Sequence, residues 1–389
     1  MEREFRDMEK KKKVVLVGPV YPYKGGIAHY TSLMYRALCQ KYDVEMVSYK
    51  KQYPKLLFRK EQKDYSNDFF KVENTKYWIR TANIFSCIVS AIKIKKMAPN
   101  LVIFQWWHPY FAPCYWIMSK ILAKTEKMFL CHNVLPHERF PFDRHLVKMI
   151  LKQGDSYIVH SKLDEADLKE LKSNALITRT VHPTYNIFNI NNMEAKQARE
   201  LLVIPPQKKV MLFFGFVREY KGLKHLIKAL PQVKKSLDDI LLLVVGDFGT
   251  DKEEYLMLIK SLNVEAEIKI VDGYVPDTEV EKYFACSDVV VLPYESATQS
   301  GIVQIAYGFQ KPVISTNVGG LSEVVEDNKT GLLIPARDEK ALAEAIIKFF
   351  KENKAEIFSQ GIKEEEYKYS WEHLAEIVAL HHGKNRNEV

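Results

Sequence analysis

Short apolar runs rich in β-branched residues alternate with helix-length amphipathic stretches along this chain, and the whole alternation occurs twice. That order constrains the fold more than any single residue, because repeated strand–helix–strand units pack as a parallel sheet with helices on both faces. In the first pass Val14–Val17, Val44–Ser48, Leu101–Gln105, Lys127–Cys131 and Ser156–His160 read as strands, with a helix expected from Gly26 to Gln40. The pattern restarts after Pro183 with Val210–Phe214, Leu241–Val245, Glu267–Val271, Val289–Leu292 and Pro312–Ser315. His182-Pro183-Thr184-Tyr185 through Pro205-Pro206 is the most linker-like stretch. At 389 residues the chain exceeds the roughly 250–300 that one core supports. The expected fold class is therefore α/β, with two doubly wound domains in tandem over 1–190 and 191–368. Such sheets bind ligands outside their strand C-terminal ends, so those ends are expected to face a central cleft.

Charge separates the halves. Residues 1–190 hold 32 Lys and Arg against 18 Asp and Glu, whereas the remainder holds 25 against 31. A basic first half favours an anionic partner such as lipid headgroups or a phosphorylated substrate. It carries no base-stacking motif, so nucleic acid is not expected. The tract Glu9-Lys10-Lys11-Lys12-Lys13 reads as a frayed, solvated tail. Two apolar, aromatic segments flanked by lysines, 81–94 and 109–123, are too short to span a bilayer; they fit either core helices or an interfacial membrane contact. The N-terminal charge run is followed by too short an apolar stretch for a secretory leader, which makes a cytoplasmic protein, on the membrane face or free of it, the expectation. Five scattered cysteines without CxxC spacing point to buried apolar thiols, not to zinc or a disulfide framework.

Three loops carry the chemistry. Lys24-Gly25-Gly26-Ile27 directly follows the first strand and opens a helix, where glycine allows close backbone approach and the helix start offers unpaired N–H groups to a phosphate. It has neither the GxGxxG nor the Walker spacing. In the second pass, Phe214-Gly215-Phe216-Val217-Arg218-Glu219-Tyr220-Lys221-Gly222 puts Arg218 and Lys221 on one loop, a planar bidentate donor beside a compact point charge that suit a diphosphate. Pro293-Tyr294-Glu295-Ser296-Ala297-Thr298-Gln299-Ser300-Gly301 then offers carboxylate, hydroxyl, amide and backbone groups at a helix start, a set able to hold a sugar or phosphate. Thr316 to Glu323, through Gly319-Gly320, repeats that logic after the next strand.

The ordered set GGI, GxxRxxKG, SATQSG, KPVI, GGLSE and TGLL resembles the family 4 retaining glycosyltransferases, whose fold is GT-B, two Rossmann-like domains facing a cleft. The resemblance covers nearly the whole chain. It implies a nucleotide-sugar donor on the second domain, a UDP-sugar before a GDP-sugar, and a glycan or lipid-linked acceptor on the basic first domain. It implies further that Arg218 and Lys221 grip the donor diphosphate, that Gly25 and Gly26 approach the phosphates, and that His132 in Cys131-His132-Asn133 contacts the transferred sugar. The segment 369–389, from Tyr369-Ser370-Trp371 onward, looks like a C-terminal helix crossing back to the first domain. One departure stands out. Where the family carries two glutamates separated by seven residues, this chain has Ala297 and Ile305, with Glu295 and Val303 two positions earlier.

No cofactor beyond the donor is implied, and no Asp-x-Asp signal stands where a metal could serve a phosphate. The expected chemistry is leaving-group stabilisation by Arg218, Lys221 and glycine-loop amides, with retention at the anomeric carbon and His132 positioning the sugar. Two other readings remain open: a catalytically silent nucleotide- or carbohydrate-binding partner subunit, and another GT-B enzyme such as a nucleotide-sugar epimerase. Asp247-Phe248-Gly249 reads as a strand end rather than a kinase motif. His132 and His137 are poorly spaced for zinc, and His381-His382 reads as tail surface.

Overall fold

The computed structural model describes residues 11–54, 61–65, 68–136, 142–297 and 299–384. Glu9, Lys10, His137 and Thr298 lie outside them. The chain divides into two compact units, 1–180 with 371–389, and 181–370.

In the first unit the strands are Lys13–Val17 (β1), Asp43–Lys51 (β2), Lys76–Arg80 (β3), Leu101–Trp106 (β4), Glu126–Cys131 (β5), Ser156–Val159 (β6) and Leu176–Arg179 (β7). All pair in parallel in the order β3-β2-β1-β4-β5-β6-β7. The helices are Gly26–Lys41 (α1), Ile84–Lys96 (α2), Ala112–Ile121 (α3), Asp143–Leu151 (α4) and Lys162–Leu171 (α5). β4 is buried at every position, as a strand covered on both faces must be. Its Phe104 stacks on Phe129 of β5 at 5.2 Å, which in turn stacks on Tyr157 of β6. Helix starts are chemically marked: Asn83 accepts from the Ser86 N–H at α2, and Ser161 from that of Asp164 at α5.

The second unit begins with Ala195–Leu201 (α6) and holds Lys209–Phe214 (β8), Leu223–Ser236 (α7), Ile240–Gly246 (β9), Lys252–Ser261 (α8), Ile268–Asp272 (β10), Val280–Cys286 (α9) and Val289–Leu292 (β11). It continues with Gly301–Gly308 (α10), Val313–Thr316 (β12), Leu321–Val324 (α11), Gly331–Ile334 (β13), Glu339–Lys351 (α12) and Lys354–Glu364 (α13). This sheet is also wholly parallel, ordered β10-β9-β8-β11-β12-β13. Trp371–Lys384 (α14) belongs to the first unit and packs against α1, where Trp371 meets the Tyr30 ring edge-on at 4.9 Å.

Two details differ from the reading by pattern, and a third separates two segments that the pattern left open. The division falls at Thr180–Val181 instead of 190/191, because Tyr185 and Asn186 pack tightly on Gly308 of α10 and the Tyr185 N–H donates to Gln304 O. His381 is buried, its ring hydrogen-bonded to the Thr178 hydroxyl of β7, so it anchors α14. Segment 109–123 is mostly core, with Phe111, Tyr115 and Met118 buried, whereas 81–94 exposes four large apolar side chains.

Candidate functional site

Each unit carries its own cluster of candidate residues, at the C-terminal end of its sheet. In the first unit β1 runs into a loop that ends at Gly25, which caps α1 at φ 105° and ψ 162°. That backbone excludes a side chain on conformational grounds, and a Cβ there would touch nothing within 4 Å. Gly25 and Gly26 are both exposed, so the first turn of α1 is open to a ligand. His132 follows β5, with its N–H bonded to Trp106 O at 2.8 Å. Its Nε2 lies 2.7 Å from Gln105 Oε1, an amide oxygen that can only accept, so the ring proton on that nitrogen donates there. Tyr30, one turn into α1, meets the His132 ring edge-on at 4.6 Å. The glycine turn and His132 thus share one edge of one sheet.

Pattern reading did not single out Tyr30, Gln105 or His160. The Tyr30 hydroxyl lies 3.0 Å from His160 Nε2, and His160 Nδ1 lies 3.0 Å from Thr180 O. Burial pushes His160 down to about 4, which leaves it neutral at physiological pH. These are interior residues without a motif, invisible until the strands are placed side by side.

In the second unit Gly215 follows β8, and a Cβ on it would stand 3.1 Å from Lys221 Nζ. The missing side chain makes the space in which that ammonium sits. Lys221 Nζ lies 5.7 Å from the centre of the buried Tyr294 ring, and among the described residues no carboxylate pairs with it. Burial, then the neighbouring Arg218, push Lys221 down to about 8. Arg218 is exposed, and its Nη1 donates to Val217 O at 2.9 Å. The two loops are joined directly. The Glu295 N–H donates to Tyr220 O at 2.7 Å, and Gly222, at φ 66°, lies against the carbonyl of Pro293.

Beyond Tyr294 the hydroxyl-rich loop reaches α10. Ser300 caps that helix by accepting from the Ile302 N–H, and Gly301 opens it. Gln299 is half-buried beside them, and Glu323 is half-buried on α11. Ile305, where the resemblance drawn from the sequence would place a glutamate, is 8% exposed and apolar.

Glu295 is engaged by protein. Its Oε1 lies 3.0 Å from His225 Nε2 and 3.2 Å from Lys224 Nζ, and its Oε2 accepts from Arg337 Nε at 2.9 Å. The opposite ring nitrogen, His225 Nδ1, lies 2.8 Å from Glu339. Burial pushes the Glu295 carboxyl up, but the bonds from His225, Arg337 and Lys224 outweigh it and hold it at about 2. His225, Arg337 and Glu339 come from α7, the turn after β13, and α12, so no local spacing could have announced the clamp.

The sign of its pH dependence follows. A carboxyl held at about 2, against about 4.5 in the unfolded chain, contributes fully above 4.5, and that contribution is lost as pH falls through about 2. At about 1.4 kcal/mol per pH unit, reduced because Arg337 is largely in solvent, the clamp is worth about 1–3 kcal/mol. Glu295→Gln is therefore expected to cost that much at pH 7 and to flatten the acid side of the stability curve, measured by denaturant unfolding from pH 7 to 2. An unchanged curve would dismiss the clamp.

Residues 194–365 match the family described as Glycosyl transferases group 1. A D-inositol 3-phosphate glycosyltransferase of Saccharomonospora viridis is 24% identical over 269 residues, 66% of this chain and 61% of its own length. One from Corynebacterium diphtheriae is 30% identical over 156 residues, 39% of this chain and 36% of its own length. The chain thus matches less than two-thirds of the length of these relatives. Among solved structures, Anabaena HepE in complex with UDP superposes with a TM-score of 0.71 at 17% identity, covering 95% of this chain and 99% of that one. A glycosyltransferase from Rickettsia africae gives 0.71 at 17%, covering 97% and 100%. At such identities the likeness is one of fold, and the fold is that of GT-B glycosyltransferases. The similarity to the group 1 glycosyl transferases lies in the stretch 194–365, most of the second unit.

Proposed function

We propose that the chain is a retaining glycosyltransferase that moves a sugar from a nucleotide-sugar donor to a glycan or lipid-linked acceptor in polysaccharide or glycoconjugate synthesis. The observation that carries this reading is the loop after β8, where Arg218 and a half-buried Lys221 share a few residues and no described carboxylate neutralises the lysine. A buried cation without a counter-ion is costly to hold, and a diphosphate is the partner whose charge would offset that cost. Breaking the anomeric C–O bond leaves oxocarbenium character on the sugar and adds negative charge to the diphosphate. Arg218, Lys221 and the amides near Gly25 and Gly26 would stabilise that charge more in the transition state than in the ground state, in place of a metal ion. Retention would follow from acceptor attack on the face the phosphate leaves, the phosphate oxygen taking the acceptor proton. His132, fixed by Gln105 and Tyr30, would orient the sugar. A UDP-sugar is the preferred donor, in keeping with the UDP bound by HepE.

The test is a thermal-shift titration of the whole chain against UDP-, GDP-, ADP- and dTDP-sugars without added metal, followed by NMR of the product's anomeric configuration. A selective rise with a UDP-sugar and a product of unchanged configuration are expected. Inversion would refute the mechanism. A folded protein that responds to no donor would favour the silent partner subunit, a reading supported by Ile305 and by the occupied Glu295 carboxylate.

A further inference from the structure

Helix α2 is seated on the first unit by one face and leaves large apolar side chains exposed on the other. Cys87, Ser90, Ala91 and Ile94 are buried, with Cys87 Sγ 2.8 Å from Cys114 Sγ of α3, so the helix is firmly seated on the first unit. Yet Phe85 is 79% exposed, Ile84 62%, Val89 50% and Ile92 42%. At about 3.6 residues per turn these four fall on one continuous outward stripe. Contiguous apolar surface of this kind marks a contact site, whereas scattered exposed side chains would not.

The charges say what the contact is. The stripe ends in Lys93, Lys95 and Lys96, all exposed, and no acidic residue occurs in α2. Lys93 lies 4.8 Å from the Trp78 ring centre, and on α3, which packs beside α2, Lys120 lies 5.6 Å from that of Trp116. Apolar side chains bordered by lysines and tryptophans match the layering of a bilayer interface, with acyl chains below anionic headgroups. No helix among the described residues is long and apolar enough to cross a membrane. We infer that α2 lies flat on an anionic lipid bilayer, with Phe85 and Val89 inserted and Lys93, Lys95 and Lys96 on the headgroups. The purpose of such docking, bringing the site to a lipid-linked acceptor, rests on the function proposed above; the docking itself does not.

The experiment is co-sedimentation of the whole chain with vesicles of phosphatidylcholine alone or mixed with phosphatidylglycerol. Binding to the mixed vesicles is expected, weak on phosphatidylcholine and reduced by salt. Lys93→Gln, Lys95→Gln and Lys96→Gln together should weaken it about 100-fold, at about fivefold per lysine. Phe85→Ser with Val89→Ser should weaken it at least about tenfold. These positions are exposed, so melting temperature and the donor-induced shift should stay at wild-type values in both variants. Failure of the wild type to bind anionic vesicles, or equal binding by all three proteins, would overturn the inference. So would a wild-type oligomer that Phe85→Ser with Val89→Ser makes monomeric without lipid, since the stripe would then be a subunit interface. Absence of any donor shift in the wild type would instead strike the proposed function and leave the vesicle result standing.

Discussion

Lys221→Met is expected to make the protein more stable and unable to hold its donor. The ammonium is held down at about 8 by burial and by Arg218, against 10.5 for an ordinary lysine. Between those two pH values the unfolded chain binds more protons than the folded one, so stability rises with pH from about 8 to 10.5 and is lowest where Lys221 is charged. At about 1.4 kcal/mol per pH unit, the charged lysine costs the fold about 2–3 kcal/mol near neutrality. Methionine keeps the length and the contact with Tyr294 without the charge, so the melting temperature at pH 7 should rise. Donor affinity should fall at least about 100-fold, as expected when a desolvated cation facing a phosphate is removed. The wild type should also lose donor affinity as pH rises through about 8, a limb that Lys221→Met abolishes. Arg218→Ala is the counterpart: its side chain is exposed and repels Lys221, so donor binding should fall with stability no lower than in the wild type. Calorimetric titration of a UDP-sugar from pH 6 to 9 with parallel melting curves measures all of this. A destabilised Lys221→Met with wild-type donor affinity would show that the lysine is a structural residue and would remove the support for the proposed function.

What pattern reading reaches, and what it misses, follows from where each residue sits in the sheets. Central strands such as Val14–Val17, Leu101–Gln105 and Val210–Phe214 are covered on both faces, read as unbroken apolar runs, and stand in the structure where they were expected. Lys76–Arg80, Leu176–Arg179 and Gly331–Ile334 do not read as strands in the sequence, and all three are sheet edges. The first two are largely half-buried, with polar residues interleaved, so nothing in their composition separates them from loop. The same distinction divides the site. Gly25, Gly215, Arg218 and Lys221 follow strand ends and are legible from spacing, because one short loop carries each group. Gln105 beside His132, and His225, Arg337 and Glu339 around Glu295, depend on elements far apart in sequence. His381 misleads for a related reason: near a chain end it suggests solvent, but α14 returns to the first unit and buries it against β7.

Gly222→Ala is the second large effect, and it tests whether the two loops of the second unit act as one body. Gly222 stands at φ 66°, and a Cβ there would lie 1.9 Å from the carbonyl oxygen of Pro293. That oxygen is backbone, so no side-chain rotation relieves the clash; either the turn before α7 or the strand end after β11 must move. The Tyr220–Glu295 hydrogen bond lies between the same two segments and would break with it. Left-handed strain at a non-glycine residue and overpacking each cost about 1–3 kcal/mol, so a loss of about 2–6 kcal/mol is expected. Gly249 supplies the matched control. Its φ is 62°, but its nearest neighbour to a Cβ is Arg218 Nη1 at 3.5 Å, an ordinary contact with a flexible side chain. Gly249→Ala therefore carries the backbone strain alone, about 1 kcal/mol, and the difference between the two variants measures the clash. If Gly222→Ala folds at reduced temperature, its donor affinity should still be impaired, because Lys221 and the Tyr294–Ser300 segment can no longer keep their spacing. A Gly222→Ala protein no less stable than Gly249→Ala, with wild-type donor affinity, would mean that the loops move independently. Arg218 and Lys221 would then have to find the diphosphate without the rigid frame on which their preorganisation depends.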